Sequence, residues 1–141
     1  METADFTFIV GRKKFLIHKS VLVEHSALFA KIFDSKQRQN SKSEKLRSVN
    51  AETFTEVLRF IYTKEIQPQF LKNLMLAARV FKITSLMKGC TDKAIETLTI
   101  ENALMMYELG REFDRIKLKS SAVALMSKWD FLIFDIFEVI S

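Results

Sequence analysis

Two histidines and one cysteine are the groups with which this chain would do covalent, acid–base or metal chemistry. His18 and His25 have no carboxylate or thiol partner at ligand spacing, so they do not describe a zinc site. His18 instead stands between an alternating apolar run and a helical one, where an imidazole holds main-chain groups. Cys90 falls on the row Leu86, Cys90, Ala94, the inward row of a helix, with no neighbouring base to activate it. A thiol so placed behaves as a small hydrophobe. No Ser/His/Asp set, glycine-rich phosphate loop or paired-carboxylate pocket emerges at suggestive spacing. The residues predict no enzyme, no metal and no cofactor. What remains is docking.

The composition is that of a chain able to bury a core. Of 141 residues, 48% are hydrophobic and 28% charged, with thirteen Phe against one Trp and two Tyr. Three Gly and one Pro predict a compact, mainly helical chain with few irregular loops. One cysteine excludes an internal disulfide and fits a reducing compartment, and the acidic start Met1–Asp5 lacks the apolar core of a signal peptide. The apolar tail, from Phe131 to Ile140, is interrupted by Asp135 and Glu138 and is too brief to span a bilayer. The expected location is cytoplasmic or nuclear, with no membrane partner. A net charge of +5 raises nucleic acid as a partner. Its densest cluster, Lys36 to Arg47, is rich in Ser, Gln and Asn and has no aromatic to stack on a base. That segment reads as a solvated loop, and no nucleic acid is expected.

Elements follow from periodicity. Phe6, Phe8 and Val10 alternate with Thr7 and Ile9, and after a turn at Gly11–Arg12 the alternation resumes at Phe15 and Ile17, which predicts a hairpin. A short helix from Lys19 or Ser20 carries Leu22, Val23 and Ser26, and a second has the stripe Leu28, Phe29, Ile32, Phe33. A third strand is expected over Glu44–Val49, with Leu46 and Val49 inward. Asn50 then caps a helix bearing Phe54, Val57, Leu58 and Ile61. Ile66 is a candidate edge strand ahead of Pro68. Further helices are read from Leu74, Ala77, Ala78, Phe81 and from Leu86, Cys90, Ala94. Thr99 is expected to cap a helix over Ile100–Phe113, and Asp114 to start another, with Ile116 or Leu118 and Ala122 inward, ending near Trp129.

In order, these pieces resemble a BTB/POZ domain. The residues that carry the likeness are Asp5, Phe15, His18, Lys19, Leu22, Ser26, Phe29, Ile32 and Phe33. Further matches are Phe54-x-x-Val57-Leu58-x-Phe60-Ile61-Tyr62-Thr63, Leu76–Phe81, Leu86-x-x-x-Cys90 and Leu98–Asn102. From Thr99 to Trp129 the helical pair looks like the start of a BACK domain, or the 3-box of MATH–BTB adaptors. The resemblance implies an α+β fold, a small three-stranded sheet flanked by helical hairpins with a C-terminal helical pair. It divides the chain into a BTB/POZ domain over 1–98 and a partial BACK or 3-box extension over 99–141. It implies a non-enzymatic scaffold, most often the adaptor joining a substrate to a cullin-3 RING ubiquitin ligase, as in kelch-type proteins. The alternative is a BTB transcriptional regulator that recruits a corepressor without cullin.

Site residues enter only through that resemblance. Asp5 and Lys19 match a charged pair near the base of the fold. The cullin-facing edge would comprise residues 34–40, the Tyr62–Thr63 corner and the helical pair from Ile100. Where cullin-binding members carry a hydrophobic-x-Glu element, this chain has Gln37 and Gln39 and no apolar anchor, so binding to the cullin-3 N-terminal domain is expected to be weakened. Only four residues precede Asp5, whereas dimerising members use a helix there. A homodimer is left to the side of Val21, His25 and Leu28. Phe131, Phe134 and Phe137 would form an exposed apolar patch if uncovered, which predicts that the chain is part of a longer protein.

Overall fold

In the computed structural model, residues 5–34 and 43–140 are described, the side chains of 129–140 excepted. The chain divides into two compact units, Met1–Gly89 and Cys90–Ser141.

The first unit opens with strands β1 (Phe6–Val10) and β2 (Lys13–Ile17), paired antiparallel with Val10 opposite Lys13. Gly11 takes φ +61° while Arg12 keeps a negative φ. That sign pattern belongs to the type II′ turn, whose twist matches the strands it joins. Helices α1 (Lys19–His25) and α2 (Ala27–Asp34) follow. Strand β3 (Ser43–Leu46) then pairs parallel to β1, which gives the order β2-β1-β3. Helix α3 (Ala51–Thr63) begins at Asn50, whose side chain accepts the Thr53 amide at 2.7 Å. A 3₁₀ turn (Pro68–Phe70) leads into α4 (Leu71–Phe81) and then α5 (Thr84–Glu96).

Phenylalanine fills the interior of this unit. The Phe8 ring centroid lies 5.3 Å from that of Phe29 and 5.7 Å from that of Phe54. Phe15 and Phe81 continue the cluster at 5.0 Å from Phe54 and Phe29 respectively. Removing each ring from water contributes about 1.5–3 kcal/mol, and the edge and tilted contacts add to it. Ser26 joins three pieces at this core. Its hydroxyl donates to the carbonyl of Phe81 and accepts the amide of Phe29 at 3.1 Å, and the residue is 1% exposed.

The second unit holds the end of α5 with α6 (Ala103–Glu112) and α7 (Ile116–Ile140). α6 and α7 form an antiparallel hairpin over a tight turn in which Asp114 takes φ +55°. Gly110 sets how closely they approach: a Cβ there would lie 2.8 Å from the main-chain nitrogen of Lys119. Arg115 donates through Nε to the hydroxyl of buried Thr91 at 2.9 Å.

Several expectations are corrected. β3 stops at Leu46, because the backbone bends at Ser48–Val49 to present Asn50 as a cap. Ile66 is buried but belongs to no strand. Val23 points outward at 41% exposure, so α1 buries only Leu22. α6 starts at Ala103 rather than Ile100. Thr99 and Asn102 bond reciprocally, Thr99 amide to Asn102 Oδ1 and Asn102 amide to Thr99 Oγ1, and the turn they close holds Ile100. Leu118, not Ile116, is the inward residue at the start of α7, and that helix runs past Trp129 to Ile140.

Candidate protein-interaction surface

Exposed residues that a partner could grip gather where α1 meets the end of α3. α3 is closed by Lys64, which adopts φ +65° and gives its amide to the Phe60 carbonyl at 2.7 Å. This left-handed cap turns the chain sharply. It leaves Tyr62 and Thr63 exposed on the last turn, Tyr62 at 51%. The Tyr62 hydroxyl is 3.2 Å from His18 Nδ1, and the two rings meet edge to face at 6.5 Å. At the other end of α1, His25 Nε2 is 3.5 Å from Lys64 Nζ, and that ammonium lies 5.2 Å from the Phe60 ring centroid. Both histidines thus bind the end of α3 to α1. Exposure combined with restraint suits docking, because a side chain already held loses little entropy on binding.

Asp5 and Lys19 do meet, in a form the sequence did not reveal. The Asp5 carboxylate accepts the main-chain amide of Lys19 at 2.9 Å, at the first residue of α1. The Lys19 ammonium instead stands over the Phe6 and Phe33 rings, at 5.2 and 5.6 Å. The pair joins β1 to α1 as a helix-capping contact and a cation–π contact. Val21, His25 and Leu28 are each half-buried along α1 and the start of α2. An open groove beside them is lined by Val23, Ala30, Lys31, Phe33 and Asp34. Gln37 and Gln39 lie outside the described residues. Ile100 is half-buried in the second unit, whereas Tyr62 and Thr63 belong to the first.

Cys90 is fully buried, and burial pushes its thiol up to about 12. A group so far from ionising offers no nucleophile at neutral pH. Among the described residues, no three His, Cys, Asp or Glu side chains are grouped to hold a metal ion, and no helix is long and apolar enough to cross a membrane.

The residues that sequence reasoning missed are Val23 and Lys64. Lys64 had no glycine to mark it as a helix cap. Val23 sat on a short helix whose single buried position cannot be chosen from spacing.

Comparison with known proteins adds four findings. A family model described as the BTB/POZ domain matches residues 1–98. In Arabidopsis thaliana, Armadillo BTB Arabidopsis protein 1 is 28% identical over 119 residues, covering 82% of this chain and 16% of that protein. ARM repeat protein interacting with ABF2, from the same plant, is 28% identical over 123 residues, covering 85% and 17%. This chain therefore spans about a sixth of the length of these curated relatives. Among solved structures, the BTB domain of zebrafish PATZ1 superposes with a TM-score of 0.57 at 25% identity, covering 67% of this chain and 77% of that one. With its three-stranded sheet, its helical hairpins and a family match over most of its length, this chain belongs to the BTB/POZ family of protein-interaction domains.

Proposed function

We propose that the chain is a non-catalytic adaptor that engages the N-terminal domain of cullin-3 in a RING ubiquitin ligase through the end of α3. The observation that carries this reading is Tyr62, half exposed yet held by His18. Rigid aromatics are the side chains that dominate interface energies. In this reading the α6–α7 hairpin is the beginning of a BACK domain or 3-box, and α1 with the start of α2 supplies a homodimer surface at Val21, His25 and Leu28. Substrates are recognised elsewhere in a longer protein. The site of action is cytoplasmic or nuclear.

Calorimetric titration with the cullin-3 N-terminal domain tests it. Wild type binds, Tyr62→Ala weakens binding about tenfold or more, and Tyr62→Phe, which keeps the ring and its edge contact with His18 but loses the hydroxyl contact, falls between the two. No heat at roughly tens of micromolar refutes the ligase role and leaves the fold untouched.

Gln37 and Gln39, which supply no apolar anchor, favour a second reading. In it the domain recruits a corepressor as part of a transcriptional regulator and bypasses cullin. Light scattering with and without cullin-3 separates the readings and reports the homodimer in the same measurement.

A further inference from the structure

The outward face of the sheet carries a pattern that none of the surfaces above uses. On β1 the outward residues are Thr7 and Ile9. The pairing register sets Leu16 and Ser43 on either side of Thr7, and Lys14 and Lys45 on either side of Ile9. Neighbouring strands are spaced so that the two lysine Cα atoms stand about 10 Å apart across Ile9. Lys14, Ser43 and Lys45 are exposed, and Leu16 is 73% exposed on an edge strand. Arg12 in the hairpin turn and Arg47 just beyond β3 add exposed cations at one end of the face. The acid of the same parity, Asp5, stands at the other end with its carboxylate on the Lys19 amide, and Glu44 alternates to the opposite side.

We infer that this face docks an acidic peptide segment of a partner protein, one that carries an apolar residue among its carboxylates. Charge complementarity selects the acid: Lys14 and Lys45 flank Ile9 with no carboxylate between them, and exposed Leu16 stands in the next row beside Thr7. The absence of outward rings argues against nucleic acid. Phe6, Phe8 and Phe15 all turn to the inner side, so the outer face offers a base no ring to stack upon. Lysines on edge strands also discourage sheet-to-sheet aggregation. That role accounts for Lys14 and Lys45 but leaves the exposure of Leu16 without a use.

Fluorescence anisotropy of the full chain with a labelled peptide of Glu-Glu-Leu repeats is the test. A peptide of Glu-Glu-Ser repeats and a single-stranded oligodeoxythymidine serve as comparisons. Binding of Glu-Glu-Leu should weaken with salt, and about tenfold or more in the Lys14→Glu/Lys45→Glu double variant. Leu16→Ser should weaken it about tenfold. Amide shifts of the wild-type chain on peptide addition should centre on Ile9, Leu16 and Lys45, a readout that needs no variant to fold. No binding overturns the inference, as does a shift map lying elsewhere. Equal affinity for Glu-Glu-Ser reduces the face to bare charge, and tighter, competing binding of the oligonucleotide assigns it to nucleic acid; either result overturns it too.

Discussion

Replacing Ser26 tests how the first unit is held together. Its hydroxyl has two jobs in one buried place: it accepts the Phe29 amide at the start of α2 and donates to the Phe81 carbonyl at the end of α4. The final carbonyls of a helix have no partner within it, so Phe81 depends on this donor. In Ser26→Ala the lost cap costs about 1 kcal/mol and the stranded carbonyl about 1–3 kcal/mol more. Asn50→Ala supplies the contrast, because Asn50 is exposed and only caps, for a loss of about 1 kcal/mol. Ser26→Asp sharpens it further. Aspartate is as good a cap acceptor as serine, but here its carboxylate would face a carbonyl oxygen in a site 1% exposed. Native-state hydrogen exchange reads the first unit alone through the amides of β1. Ser26→Ala should speed that exchange roughly thirty- to a thousandfold, Asn50→Ala about fivefold, and Ser26→Asp at least as much as Ser26→Ala. Equal acceleration by the two alanine variants, or milder acceleration by Ser26→Asp, refutes the role of Ser26 as a donor.

In the second unit, Gly110→Ala forces a methyl to within 2.8 Å of the Lys119 amide, where the obstacle is backbone and cannot rotate away. A loss of about 1–3 kcal/mol is expected, read as faster exchange at α6 and α7 amides with β1 unaffected. Cys90 predicts a pH dependence. Its thiol ionises near 9 when unfolded and near 12 when folded, so folding is favoured by the full difference below pH 9 and loses that stabilisation as pH rises from 9 towards 12. Cys90→Ala should flatten the alkaline limb of a stability-against-pH curve. The native thiol should resist an aromatic disulfide reagent at neutral pH until denaturant is added.

The strands and the phenylalanine core were legible because period-two alternation has one reading when a face is buried, as at Phe6, Phe8 and Val10. The cap at Asn50 was legible for the same reason: a short polar side chain ahead of an apolar period leaves few alternatives. Helix ends were not. Lys64, Lys82 and Asp114 all adopt positive φ where glycine would be the signal, and a chain with three glycines gives no such mark. Thr99 shows the opposite difficulty. It carries the sequence of a cap, yet its reciprocal bonds with Asn102 close a turn, and the regular helix starts only afterwards. The candidate site was legible as residue names rather than as contacts. Asp5 and Lys19 were paired by resemblance, while the partner each one selects, an amide and two rings, depends on where α1 begins.

The division of labour between buried and exposed residues follows from that difference. Residues that carry the resemblance in the sequence, such as Ser26, Phe29 and Phe81, sit in the interior and answer to packing, which any sequence of this fold must satisfy. In the readings proposed above, partner choice falls to exposed positions outside the core: Tyr62 on the last turn of α3, and Lys14, Leu16 and Lys45 on the sheet. Substituting one of these costs the fold little, so each is free to change with the partner. A family match over residues 1–98 therefore speaks for the fold and not for its ligands, because one fold hosts many functions. Variants at Tyr62 and at Lys14 and Lys45 should accordingly change binding while leaving hydrogen exchange in β1 at its wild-type rate. A loss of stability from either would mean that the surface and the core are not separable here.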